Sequence, residues 1–254
     1  MSDEEKKFAN LRKFNGFMAV LHFIQGVLMV YLSTDFAISV TSSYMMGPPG
    51  TEEMSTVVLF DLPLGPAVAA FLFISSLAHL SLSTFGYKWY VRNLKEHINK
   101  ARWVEYSFSS SLMIVIIAML TGYTDLGVLI TIFIVNASMI LFGWLMEAYN
   151  QKTEKTRWSP FIFGCIAGAA PWIAIAIKLL TAYYESPVDI PNFVIGIFIS
   201  IGIFFNIFAL NQLLQYKEVW KWKDYLFGEK MYIVLSLVAK SALAWQVFAG
   251  TLVD

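Results

Sequence analysis

Apolar residues recur along this chain in long unbroken blocks, separated by short polar joints. A helix with one face in water would alternate apolar and polar positions every three to four residues, so blocks of this length suit helices surrounded by apolar material on every side. A bilayer's hydrocarbon core is crossed by about 20 helical residues. On that measure seven spans are predicted, over residues 14–33, 63–87, 98–122, 126–149, 160–182, 191–216 and 231–253. The expected fold class is an all-α membrane protein, a seven-transmembrane-helix bundle. No internal repeat, low-complexity tract or linker divides the chain, and residues 1–254 read as a single domain. The one long joint, at about 34–62, holds Gly47-Pro48-Pro49-Gly50 between β-branched and aromatic stretches, which predicts a hairpin on the membrane surface. The first apolar run carries no small-residue cleavage site after a short apolar core, so it is expected to be a retained span and not a signal peptide.

Composition supports the same class. Hydrophobic residues make up 57% of the chain and charged residues 14%, where a soluble domain carries about 25% charged. The zero net charge gives no argument for a nucleic-acid partner, and none is expected. Cys165 is the single cysteine, which rules out an intrachain disulfide; it reads as a small buried apolar residue.

Charge placement adds an orientation. Sixteen of the eighteen lysines and arginines fall in the N-terminus and the second, fourth and sixth joints, among them Lys6, Arg12, Lys88, Arg92, Arg102, Lys152, Lys155 and Lys221. Basic joints stay on the cytoplasmic side, so the N-terminus is expected inside and the C-terminus outside, in the cell membrane. Seven-helix receptors and the usual microbial rhodopsins run the other way.

Four ionisable residues then stand out inside apolar blocks: His22, His79, Glu105 and Lys240. Counted at 1.5 Å per residue, all four fall in the cytoplasmic half, with Lys240 roughly 14 Å below the boundary. A lysine there costs roughly 2.5 kcal/mol or more, so it is paired, modified or turned to a cavity. Glu105 and Lys240 read either as a structural ion pair between the third and seventh spans or as a functional one. The histidines read either as packing groups or, with Gln25 and Ser75 one turn away, as part of a watery cavity. Met139, Gly143, Trp144, Pro171, Trp172, Phe204, Phe205 and Trp245 offer aromatic faces and room for a bulky conjugated ligand, although such residues at helical spacing are also ordinary packing. A buried amine can condense with an aldehyde, and the protonated imine then needs a carboxylate. No metal-ligand spacing and no nucleophile with an adjacent base is evident, so neither a metal nor an enzyme is expected.

Four stretches carry a family resemblance: Arg102-Trp103-Val104-Glu105-Tyr106-Ser107; Val135 through Trp144, which includes Asn136 and Met139; Gly164-Cys165-Ile166-Ala167-Gly168 with Pro171-Trp172; and Ser236 through Trp245. On these the chain resembles a heliorhodopsin over essentially its whole length, and the family's inverted orientation agrees with the charge count. The resemblance implies all-trans retinal on Lys240 as a protonated Schiff base, with Glu105 as counterion. Ser236 stands where light-driven pumps of the microbial rhodopsin class keep a second carboxylate. His22 and His79, with Ser75, match the family's proton-accepting network, and Tyr106, Asn136, Phe205 and Gln212 fall where the family lines its pocket. The implied function is a light-sensing photoreceptor without pumping that signals to a cytoplasmic partner; the alternative is a light-driven or light-gated proton transporter. Family members resemble homodimers, and membrane lipid is the other expected partner.

Overall fold

The computed structural model describes residues 3–51, 53–151 and 153–251. The predicted positions Lys152 and Val253 lie outside the described residues. The elements run α1 (Asp3–Leu32), β1 (Ala37–Met45), β2 (Met54–Pro63), α2 (Leu64–Ser83), α3 (Tyr87–Lys95), α4 (Lys100–Leu120), α5 (Leu126–Asn150), α6 (Ser159–Glu185), α7 (Asn192–Tyr216), a 3-10 turn (Trp220–Lys223) and α8 (Tyr225–Thr251). Seven of the described helices, α1, α2 and α4 to α8, are long and apolar enough to cross a membrane. They coincide with the seven predicted spans. α1 and α8 begin earlier than their apolar blocks do, at Asp3 and Tyr225, because a helix can project past the hydrocarbon once water or protein satisfies its surface.

Local chemistry places the helix ends. Asn99 caps α4 by accepting the Arg102 N–H at 3.1 Å, and Asp125 caps α5 by accepting from Gly127 and Val128 at 2.9 and 3.2 Å. Beyond α4 the chain turns at Gly122, whose φ of 95° suits a residue without a Cβ. Pro160 sits in the first turn of α6, where its missing N–H costs nothing.

The joint at 34–62 is an antiparallel hairpin with Ala37 opposite Pro63 and Met45 opposite Met54, and with an irregularity between Val40 and Thr41. Thr41 donates its N–H to the Thr124 carbonyl at 2.8 Å, and Ser43 donates its N–H to the Asp125 carboxylate at 3.0 Å. The hairpin is thereby fastened to the α4–α5 corner, and Val40 is buried at the edge of the core. One end of the bundle is therefore a hairpin face. The other, where α3, the 3-10 turn and most lysines and arginines lie, is a basic face.

Among the described residues two broad apolar clusters, beside a compact aromatic one of Trp103, Tyr106 and Tyr232, fill the interior. The larger, on the hairpin side, joins Leu64, Val68, Phe71 and Leu72 of α2 to Met113 through Met119 of α4 and to Ile175, Ile197, Ile201, Leu243 and Val247. The smaller, on the basic side, brings Phe8, Leu11 and Met18 of α1 against Leu82, Tyr90, Leu94 and Ile233. Between them lies a polar layer.

Candidate functional site

Lys240 and Glu105 meet in that layer. The Lys240 ammonium donates to Glu105 Oε1 at 3.0 Å and to Ser236 Oγ at 2.7 Å, and both charged side chains are buried. Ser236 lies one helical turn before Lys240 on α8, so helix geometry alone presents the hydroxyl to the amine. Ser75 on α2 reaches the same Glu105 oxygen at 2.6 Å. The Tyr106 ring lies beneath the Lys240 nitrogen, 4.9 Å from nitrogen to centroid, and its hydroxyl donates to the Tyr232 carbonyl at 2.8 Å. A buried ion pair persists only when hydrogen bonds satisfy what the partners leave over, and Ser75 and Ser236 do that here.

The two predicted histidines lie next to this pair. His22 of α1 and His79 of α2 stack with centroids 5.7 Å apart and rings 4° from parallel. His79 Nδ1 is 2.7 Å from Asn15 Oδ1. The Asn15 amide nitrogen already donates to the Leu11 carbonyl, so its oxygen is the group turned to His79. Neither ring nitrogen of the fully buried His22 has a protein partner, a situation in which buried groups ordinarily bond to water. Gln25 does not join this group; its side chain accepts from the Trp245 indole N–H at 3.3 Å.

Beside Lys240 opens a small cavity of about 50 Å³, lined by Tyr106, Ser109, Met113, Met139, Phe205 and Ser236. A larger one of about 440 Å³ shares Tyr106, Met139, Ile140, Phe205 and Phe208 with it and runs on to Gly143, Gly168, Trp172 and Gln212. Together they form an elongated, mostly apolar space that starts at an amine. A long conjugated aldehyde fits that shape and chemistry, in the size range of ordinary ligand sites. Gly143 is required by its neighbour, since a Cβ there would run into the Trp103 ring. Gln212 donates to the Gly143 carbonyl at 3.2 Å.

Several predicted residues sit away from the cavity lining. Asn136 is buried and donates to the Ser110 and Ser111 hydroxyls at 3.0 Å each, behind the wall that Ser110 forms. Pro171 is buried in α6 next to Trp172 and does not line the cavity; Trp144, Phe204 and Trp245 do not line it either. Cys165, expected to be buried, is exposed on α6 at the margin of the larger cavity.

A second polar cluster was not anticipated. Arg102, counted in the sequence as a joint charge, is buried in α4 and pairs with Glu147 of α5 at 2.5 Å and with Glu229 of α8. Glu147 also accepts the Asn99 N–H, the Trp103 indole N–H and the Tyr225 hydroxyl, while Glu229 accepts from Asn99 and from the Tyr90 hydroxyl at 3.0 Å. Burial, and then the Glu229 charge, push the Tyr90 phenol well above its ordinary range, so it remains a donor. This many donors explains how two carboxylates share one guanidinium. Glu147 carried a signal in the sequence, as an acid inside the 126–149 block. Among the described residues no three His, Cys, Asp or Glu side chains converge as a metal site requires.

The architecture recurs in solved structures. The transmembrane domain of the Salpingoeca rosetta rhodopsin phosphodiesterase superposes with a TM-score of 0.68 at 15% identity, over 99% of this chain and 87% of that one. A second structure of that transmembrane domain with its linker region gives 0.67 at 14% identity, over 97% and 81%. Cyanorhodopsin from the cyanobacterium Tolypothrix sp. gives 0.64 at 12%, over 98% and 94%. At such identities the likeness is one of fold, and it defines the class: a seven-helix protein with the rhodopsin architecture. No curated protein shows significant sequence similarity to the chain. The sequence profile of the heliorhodopsins matches residues 11–252, and the chain belongs to the heliorhodopsin family. Membership implies a retinal chromophore and a membrane setting.

Proposed function

We propose that this protein is a light sensor that carries all-trans retinal on Lys240 as a protonated Schiff base, with Glu105 as its counterion. The observation that carries the reading is the buried Lys240–Glu105 pair at 3.0 Å, at the head of an apolar cavity and with Ser236, not a second acid, on the other side of the nitrogen. Retinal supplies light-driven isomerisation and an acidic proton at the nitrogen. The chain's own residues do the rest. Glu105 holds the charge of that nitrogen, Ser75 and Ser236 orient the two partners, and Tyr106, Met139, Gly143, Trp172, Phe205 and Gln212 enclose the polyene, with Asn136 and Pro171 behind them. A proton leaving the nitrogen has Glu105, then His79 and His22, as nearby acceptors on the basic side, with Asn15 hydrogen-bonded to His79. Toward the hairpin face α4 presents Met113 through Met119, an apolar plug.

That asymmetry favours sensing over pumping. The basic face is read as cytoplasmic, the partner as a protein on that side, the assembly as a homodimer and the protein as having no enzymatic activity of its own. A second reading, light-driven or light-gated proton transport, draws support from the polar residues around His79, which provide one half of a path. The test of the chromophore assignment is reconstitution with all-trans retinal. The wild type gains a visible absorption band and Lys240→Ala does not; a band that survives in Lys240→Ala contradicts the assignment.

A further inference from the structure

The α2–α3 corner on the basic face has an outer surface that packing within the chain does not explain. Leu77 and Leu80 are exposed on α2, and Phe85, in the turn just past its end, is 88% exposed. Thr84 leaves the helical backbone angles and Gly86 returns to them, so α3 starts afresh at Tyr87, with Trp89 four residues beyond Phe85 and exposed like it. Lys88 and Arg92 flank Trp89 on the same exposed side, while Tyr90, Asn93 and Leu94 face the interior. A nine-residue helix with Trp89 and two cations on its outer side, preceded by the exposed Phe85, has the composition of an interfacial segment.

The charges at this corner are unmatched. Lys95 is taken by Glu4 at 3.4 Å, but Lys88 and Arg92 have no ion pair among the described residues. Arg12 adds a third cation, held over the Tyr87 ring at 4.6 Å and bonded through Nε to the Ser83 carbonyl, also without a carboxylate partner. Glu4 and Glu5 lie across the groove that Tyr87, Lys88 and Val91 line, and Glu96 ends the helix.

We propose that this corner binds an anionic phospholipid of the leaflet at the basic face. Phe85 and Trp89 enter the boundary between headgroups and acyl chains, where aromatic side chains settle, and Lys88, Arg92 and Arg12 meet the phosphate. Charge complementarity decides for an anionic lipid over a zwitterionic one. The place of Phe85 just past the end of a membrane-length helix that itself exposes Leu77 and Leu80 decides for lipid over a soluble protein. The proposal depends neither on retinal nor on which side of the membrane is cytoplasmic.

Native mass spectrometry of the full chain, released from nanodiscs of equal phosphatidylcholine and phosphatidylglycerol, tests it. The wild type retains phosphatidylglycerol in preference. Each cation removed weakens retention roughly fivefold, from about 1 kcal/mol per lysine or arginine, so Lys88→Gln with Arg92→Gln loses the preference. Lys221→Gln with Lys223→Gln removes the same charge elsewhere on the basic face and keeps it. Quenching of Trp89 by brominated phosphatidylglycerol, taken as the difference from Trp89→Phe, falls with the double variant. Equal retention by wild type and double variant overturns the proposal, as does an equal loss from the Lys221/Lys223 control. Absence of a lipid preference, with polyglutamate bound by the wild type and not by the double variant, overturns it in favour of an acidic protein partner.

Discussion

At the scale of single residues, Glu105 is the group on which most of the chemistry turns. One of its oxygens meets both the Lys240 nitrogen and the Ser75 hydroxyl, and among the described residues no second carboxylate pairs with Lys240. Glu105→Gln removes the charge and keeps the shape. The retinal-bound variant is expected to absorb further to the red or to lose its Schiff-base proton at lower pH than the wild type, read from absorption spectra during a pH titration. A spectrum and titration identical to the wild type would show that the counterion is another group. Lys240 and Glu105 were legible in the sequence because a charge in the middle of an apolar block has no cheap explanation. Arg102 was not, since a cation near the end of a block looks like flanking charge until the fold shows it buried between two acids.

At the scale of elements, the hairpin and α3 behave as opposite cases. Gly-Pro-Pro-Gly and the flanking β-branched residues announced the hairpin, and the structure pairs those strands. What no local pattern could announce is its fastening to Asp125, eighty residues on, which depends on tertiary placement. The Ser43 N–H, with those of Val128 and Gly127, holds the Asp125 carboxyl below its ordinary 3.8. A carboxyl depressed by folding contributes fully above that ordinary value and loses its contribution as pH falls through the lower folded one. Amide exchange at Ser43 is therefore expected to accelerate in acid below about 3.8 beyond the intrinsic trend, and Asp125→Asn is expected to remove that extra pH dependence. Exchange in the wild type that follows the intrinsic trend throughout would count against the fastening. α3 escaped the sequence pattern because nine residues give only about two and a half turns, and its lysines and arginine read as a joint.

At the scale of the whole molecule, two polar clusters divide the work. The Arg102–Glu147–Glu229 cluster ties α4, α5 and α8 together beneath the cavity, with Tyr90 adding α3. Arg102→Gln strands two buried carboxylates and is expected to cost about 3–5 kcal/mol, seen as a large drop in the temperature at which the helical circular dichroism is lost. Glu105→Gln is expected to leave that temperature much less changed, since its isostere still accepts from Ser75. The Lys240 cluster instead has His79, Asn15 and His22 on its basic side and the apolar Met113–Met119 stretch of α4 on the other, and this asymmetry underlies the proposal that light is sensed and no proton is carried across. The direct measurement is the current evoked by sustained illumination of voltage-clamped cells expressing the retinal-loaded protein. A light sensor of this kind gives at most a brief charge displacement at light onset that decays to zero while the light stays on; a steady photocurrent, abolished in Lys240→Ala, would contradict the sensory role.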